Sequence, residues 1–348
     1  MILAAITTCR RAPAMVERAV KSVIAQTYKD WNLVVVDDSP ADYELREDVR
    51  RMVEGYAAQD ERIRYIPHDK NYGAQRARNT ALSVAVETNG GGGYKYIAYL
   101  DDDDEWLPEK LEKQLARLEE LGREYALVYC YWYMIDCFDN ILYEMKVSKE
   151  GQLYNELLAA RANNFIGSMS FPLIRTECLQ AAGEFDELMA SAQDLDMWLR
   201  LAKHYKISYV PEFLVNYYYE HGEHIGRSKV RVLRGLERLY LKNEKDMLTD
   251  KLLRWNWLRD LMPLYLYCGE YRNMFRAWLK TLTLQPARIL SNLCIMRIFI
   301  TVPARARLIV PAKLWLRKNT PVIADLLKRV KRKLKGENVN WYRLENKH

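Results

Sequence analysis

The sequence predicts an α/β fold, a doubly wound and mostly parallel sheet flanked by helices, followed by an all-α, basic C-terminal region. Short apolar runs of strand length alternate with stretches of helix length through the first 121 residues, the order expected of parallel strands joined by crossover helices. Three of those apolar runs end in polar clusters. Beyond about residue 228 the strand signals give way to long stretches mixing Trp, Tyr, Leu and Arg.

In chain order, strands are expected at Ile2 to Thr7, Leu33 to Asp37, Ile63 to Pro67 and Tyr96 to Leu100, with helices over about 13 to 27, 43 to 57, 74 to 87 and 108 to 121. Ligands of such sheets bind beyond the carboxyl ends of the strands. Thr8-Cys9-Arg10, Asp37-Asp38-Ser39 and the four aspartates 101 to 104 all fall there, around one crevice. Asn89-Gly90-Gly91-Gly92-Gly93 precedes a strand and lacks the Lys-Ser/Thr that a phosphate loop needs, so it reads as a connector. Residues 125 to 226 mix strand segments (Ala126 to Tyr133, Ile207 to Val210, Val215 to Tyr219) with a helix near 194 to 204, where Leu195, Trp198, Leu199 and Ala202 recur at helical spacing. The expected organisation is a domain over 1–228, with a nucleotide-binding half at 1–124 and an acceptor-side half at 125–228, then a helical extension over 229–348. Within that extension Met262 to Ala287 reads as a helical hairpin.

The net charge of +7 conceals an asymmetry. Residues 1 to 226 carry 25 Lys and Arg against 37 Asp and Glu, a balance of −12, whereas residues 227 to 348 carry 28 against 9, a balance of +19. The six cysteines contain no CxxC pair, which leaves a zinc site or redox motif unsupported and predicts reduced, inert core residues. Met1 leads into Ile2-Leu3-Ala4-Ala5-Ile6 without a basic segment before it, so no cleaved secretory signal is expected. No stretch reaches the ~18 uncharged apolar residues of a bilayer span; Leu293 to Val302 is broken by Arg297.

Asp101, Asp102, Asp103 and Asp104 follow the apolar run Tyr96 to Leu100 directly. Several carboxylates within a few ångströms repel one another unless a cation, water or a helix N-terminus offsets them. Hard carboxylate oxygens suit Mg²⁺ or Mn²⁺, which complete their shells with substrate phosphates. The alternative is a solvated acidic loop whose last aspartate caps the helix that Pro108 opens.

Several stretches in order resemble the family 2 glycosyltransferases of GT-A fold. Ser22 to Tyr28, Trp31 and Val34-Val35-Val36-Asp37-Asp38-Ser39 are similar to that family's first helix and second strand. Asn71-Tyr72-Gly73, Ala77-Arg78-Asn79 and Tyr99 to Trp106 match its Asn-x-Gly, Ala-Arg-Asn and DxD elements, and Gly183 to Glu187 and Gln193 to Arg200 its acceptor-side motifs. The resemblance covers residues 1 to 226 and implies a metal-dependent inverting transfer of a sugar from a nucleotide-sugar, here a UDP-sugar, to a glycan or lipid-linked saccharide of the cell envelope.

By the same resemblance Asp103 is the direct metal ligand, Asp101 contacts the ribose and the metal shell, and Asp102 belongs to the same donor-binding cluster; the register among the four is open by one residue. Asp38 accepts the imide N–H of uracil, Arg78 lies against the base or balances the acidic cleft, and Thr8 lines the base pocket. Asp37-Asp38-Ser39-Pro40 is equally compatible with an ordinary turn. Asp194 matches the base that takes the acceptor proton, a role that needs a carboxylate opposite the leaving group, and it also suits an N-cap. Gln193 stands where the family carries Glu. His221, ahead of His224, falls where the family has a loop that closes over the donor phosphates, as a metal or phosphate ligand; two solvated histidines are the alternative. Ser168 lies in a segment near the acceptor.

The basic C-terminal part carries no nucleic-acid reading motif. An anionic membrane surface fits it better, with Trp255, Trp257, Trp278 and Trp315 as amphipathic anchors and Lys328 to Lys335 as a terminal basic run; the alternative is a solvated basic face on helices that pack against the acidic first domain. The expected location is the cytoplasm, at the inner face of the cell membrane. A catalytically silent nucleotide-sugar or glycan-binding scaffold and a nucleotidyltransferase are the competing readings.

Overall fold

The computed structural model describes residues 1–87, 93–136, 138–161, 163–219 and 228–285. The glycine run, His221, His224, Cys137, Cys294, Trp315 and the terminal basic run lie wholly or mostly outside them. The chain divides into two compact units, Met1–Lys280 and Thr281–His348; the first carries the fold described below.

Its centre is a nine-stranded sheet. Four strands form the parallel half in the order β3-β2-β1-β4: β1 (Ile2–Thr8), β2 (Trp31–Asp37), β3 (Ile63–Pro67) and β4 (Tyr96–Asp101). They are near-continuous runs of Ile, Val, Leu and Ala because helices cover both faces, and every residue from Ile2 to Ile6 and from Leu33 to Val36 is at most 1% exposed. The intervening helices are α1 (Pro13–Ile24), α2 (Arg46–Ala57) and α3 (Ala74–Val86). Parallel strands with helical crossovers bring all four carboxyl ends to one edge. β1 and β4 pair with Thr7 opposite Asp101, and β1 and β2 with Thr8 opposite Asp37.

Strand positions agree with the expectation to within two residues, but the region after the aspartates differs. A short strand β5 (Glu105–Trp106) intervenes, and helix α4 (Lys110–Leu121) begins after it. Asp104 is fully buried and does not cap α4. That task falls to the buried side chain of Gln26, whose Oε1 accepts from Leu111 N–H at 3.0 Å while its Nε2 donates to Leu107 O at 2.9 Å. The solvated-loop alternative for the aspartates therefore fails.

The second half of the sheet contains β6 (Tyr125–Ile135), β7 (Ile141–Met145), β8 (Leu173–Arg175) and β9 (Lys206–Tyr218), with helices α5 (Tyr154–Ala160), α6 (Thr176–Ala182) and α7 (Gln193–Ala202). β8 joins the halves by pairing antiparallel to β4 and β6. The two segments expected at 207–210 and 215–219 are one long strand. Pro211 cannot donate to a ladder, and it sits where the pairing with β6 skips from Val210 to Phe213, so a bulge absorbs it.

Three more helices follow: α8 (Lys229–Asn243), α9 (Lys251–Tyr267) and α10 (Tyr271–Leu284), with Gly269 at φ +75° in the turn before α10. Trp255 and Trp257 are 2% and 1% exposed, and Trp257 Nε1 donates to Leu158 O at 3.0 Å. They are core residues and not membrane anchors. Of the cysteines, Cys130 and Cys178 are buried as expected, whereas Cys9 and Cys268 are partly exposed. No helix of the described residues is long and apolar enough to cross a membrane.

Candidate active site

The carboxyl edge of the parallel half gathers the polar residues singled out in the sequence. At the end of β2, Asp37 is consumed internally, accepting from Ser39 N–H at 2.8 Å and Tyr65 OH at 2.6 Å. Asp38 is turned toward the entry of α3: its carboxylate accepts from the main chain of Tyr72 (2.9 Å) and Gly73 (2.7 Å) and meets His68 Nδ1 at 2.7 Å. The other ring nitrogen of His68 lies 2.9 Å from Thr80 Oγ1 on α3. Asp38 N–H donates to Thr8 O, which ties the ends of β1 and β2 together beside the buried Thr8 side chain.

The four aspartates face four different sets of partners. Asp101 accepts from Arg78 Nη2 at 2.9 Å and from Ser168 Oγ at 2.7 Å. Asp102 accepts from Cys9 N–H at 3.2 Å and Arg11 Nε at 2.9 Å. Asp103 accepts from Arg11 Nη2 at 2.6 Å through its carboxylate and from Arg18 Nη2 at 2.6 Å through its main-chain oxygen. Asp104 accepts from Ser170 Oγ at 2.6 Å and Tyr218 N–H at 3.3 Å. Burial, reinforced by repulsion from Asp103, pushes the Asp102 carboxyl up to about 7 and the Asp104 carboxyl well above the usual range.

Arg78 is buried, and its Nε and Nη1 find no acceptor among the described residues. A buried guanidinium with unmade hydrogen bonds is costly, so these two donors are left able to take a further acceptor.

Asp194 lies in the first turn of α7. The residue before that helix, Ala192, has φ +55° and ψ +29°, a left-handed conformation costing about 1 kcal/mol for a non-glycine residue. Such strain persists where surrounding contacts over-determine it. Here the contacts come from α8: Ser191 Oγ donates to Arg231 O at 3.1 Å, and a Cβ placed on Gly235 would fall 2.3 Å from that Oγ. Asp186 is clamped by Arg238 (2.8 and 2.9 Å) and Lys242 (3.1 Å), and Lys242 also reaches Asp196 at 2.5 Å. Asp194 accepts from Leu195 N–H at 2.8 Å and from Asn164 Nδ2 at 3.1 Å. Desolvation raises its pKa, with Arg78 and Asp101 close enough to act on it in opposite senses. Asp194 caps no amide farther along the helix, so the expected N-cap is absent.

The profile of Glycosyl transferase family 2 matches residues 4–180 of this chain. The chain belongs to glycosyltransferase family 2. This family 2 glycosyltransferase is 31% identical over 282 residues to the putative colanic acid biosynthesis glycosyl transferase WcaA of Escherichia coli K12, covering 78% of this chain and 88% of that protein. It is 30% identical over 193 residues to WfgD of Escherichia coli, named a UDP-Glc:alpha-D-GlcNAc-diphosphoundecaprenol beta-1,3-glucosyltransferase, covering 56% of this chain and 66% of that protein. Among solved structures, S. aureus TarS 1–349 in complex with UDP-GlcNAc superposes with a TM-score of 0.51 at 16% identity, over 83% of this chain and 92% of that one. The fold is GT-A.

No three His, Cys, Asp or Glu side chains among the described residues form a ready-made metal cage. The oxygen donors of the aspartate cluster nevertheless suit Mg²⁺ or Mn²⁺, ions held by one or two carboxylates with the remaining positions filled by substrate phosphates and water. Of the residues expected in the site, Thr8, Asp38, Arg78 and Asp101 to Asp103 share the carboxyl edge, and Asp194 joins them through the 164–168 loop. Sequence reasoning missed Arg11, Arg18 and Ser170, and it placed Asn164 in the acceptor-side segment 164–168 without giving it a task. Ser170 had a local signal, two residues from Ser168.

Proposed function

We propose that this glycosyltransferase performs a metal-dependent inverting transfer from a UDP-sugar to a hydroxyl of a lipid-linked saccharide in cell-envelope polysaccharide synthesis, working at the membrane periphery. We read residues 1–124 as the donor half and 125–228 as the acceptor half, extended by the helices from 229 onward.

The observation that carries this reading is the loop joining the two carboxylates that the reaction needs. Asn164 donates to Asp194 and, four residues on, Ser168 donates to Asp101. Trp198 Nε1 and Asn164 Nδ2 both donate to Gly167 O, at 3.2 and 2.8 Å, which pins that loop to α7. Asp101 and Asp194 are thus tied to one loop, which supports reading them as donor-side group and base, since such catalysis depends on orientation.

In the reaction the acceptor oxygen attacks the anomeric carbon as the bond from that carbon to the diphosphate breaks. Asp194 takes the acceptor proton, and the electron pair of the broken bond leaves with UDP. A divalent metal, when bound, would supply Lewis-acid stabilisation of the departing diphosphate. Asp103 and Asp101 would hold it, with Arg78 giving its unpartnered donors to the nucleotide. Asp38, buried at the end of β2, is read as the contact to uracil. The UDP and lipid-linked acceptor assignments draw on the name of WfgD, and the envelope context also on that of WcaA.

Incubation with UDP-glucose or UDP-GlcNAc and a short-chain diphospholipid-linked GlcNAc, followed by mass spectrometry, tests the reading. A product heavier by one hexosyl or N-acetylhexosaminyl unit, with UDP released, is expected. Transfer from GDP- or dTDP-sugars alone would reject the donor assignment.

A further inference from the structure

The chemistry above uses the carboxyl edge of the sheet and leaves α10 without a task. That helix holds Arg272, Arg276 and Lys280 and not one Asp or Glu. Tyr271, Phe275 and Leu279 are 51%, 45% and 44% exposed, whereas Met274 and Ala277 are 7% and 5% exposed. Side chains four apart line one helix face, so the three exposed residues form an apolar stripe. The cations follow at the same spacing one position on, and a basic rail runs beside the stripe. Tyr267, at the end of α9 and 73% exposed, precedes it. The Phe275 ring stacks on Trp278 with centroids 5.5 Å apart. Lys280 lies 3.9 Å from Glu244.

A solvated helix face is ordinarily polar, with both signs of charge. An exposed apolar stripe whose own helix contributes cations and no acidic residue is instead the pattern of a helix lying in a bilayer interface, with its rings and aliphatic chains among the acyl boundary and its cations among anionic headgroups. We propose that this face of α10 docks the enzyme on an anionic lipid surface. The lipid-linked acceptor proposed above gives the docking its purpose, whereas its test reads lipid binding alone.

The test is co-sedimentation of the full chain with phosphatidylcholine vesicles with and without phosphatidylglycerol, at low salt. Wild type is expected to pellet with the phosphatidylglycerol vesicles only. The double variant Arg272→Gln/Arg276→Gln should lower the partition coefficient about thirty-fold, at about 1 kcal/mol per cation, and Phe275→Ser/Leu279→Ser should lower it as well. Both variants should keep the wild-type melting temperature, elution volume and thermal shift with UDP. The inference is overturned if wild type ignores the anionic vesicles or if both variants pellet like wild type. It is also overturned if the serine variant converts a dimer to a monomer with lipid binding intact, which would make the stripe a contact with a second copy. Loss of the UDP shift with lipid binding intact would count against the donor assignment and leave the docking face standing.

Discussion

Arg78 Nη2 donates to Asp101 Oδ1 across 2.9 Å, and the remaining guanidinium donors of that buried arginine, Nε and Nη1, have no acceptor among the described residues. The fold holds a cation against the Asp101 carboxylate with hydrogen bonds left to make. Arg78→Met should therefore weaken UDP binding by roughly tenfold or more, the loss of one or two charge-assisted hydrogen bonds. Calorimetric titration reads this directly, and unchanged affinity would remove Arg78 from the nucleotide site.

Asp194→Asn should lower kcat by roughly 10²–10⁴-fold, the range of a lost general base, while leaving UDP affinity intact. Burial raises the pKa of Asp194, and only its ionised form takes a proton. The acid limb of the kcat profile should thus lie above the ordinary aspartate pKa, with rate falling as pH drops through it. A profile flat down to pH 4 would contradict this assignment.

Gly235 allows α8 to approach Ser191 immediately before the left-handed Ala192. Gly235→Val should push α8 away, relax the start of α7 and lower kcat more than it raises KM for the donor, with a fall in Tm. If Tm falls and kcat does not, α8 supports the fold without positioning the base.

Lys110 is fully buried, bonded to Gln114 Oε1 at 2.8 Å and 4.2 Å from the Trp106 ring centroid. Burial lowers its pKa from 10.5 to about 8. Below pH 8 both folded and unfolded chains carry the proton, and the folded state bears the whole cost of a buried ammonium. Between about 8 and 10.5 the unfolded chain binds more protons, so stability rises with pH. Lys110→Met should be the more stable protein near pH 7 by up to about 3 kcal/mol, and its advantage should shrink across that window in urea melts. A pH-independent difference would contradict the depressed pKa.

The parallel half of the sheet was legible because each strand is a continuous apolar run closed by a polar residue, and strand order then fixed which edge carries the site. Arg11 and the contact of Asn164 with Asp194 were not legible: each is a single polar residue in a loop, meeting carboxylates 91 and 30 positions away, with no period to mark it. Pro211 read as a break between two strands because the bulge that accommodates it depends on the partner strand. Trp255 and Trp257 read as anchors because a tryptophan among basic residues looks alike in a core and at an interface until its neighbours are known.

The central claim is that the aspartate edge holds a metal-bound uridine diphosphate. Thermal unfolding with UDP, GDP, CDP and dTDP, each with and without Mn²⁺, tests it most directly, because a ligand that binds only the folded chain raises Tm by mass action. The account predicts a Mn²⁺-dependent rise with UDP alone that disappears in Asp103→Ala. An equal rise with every nucleotide, or a UDP shift that survives in Asp103→Ala, would contradict it.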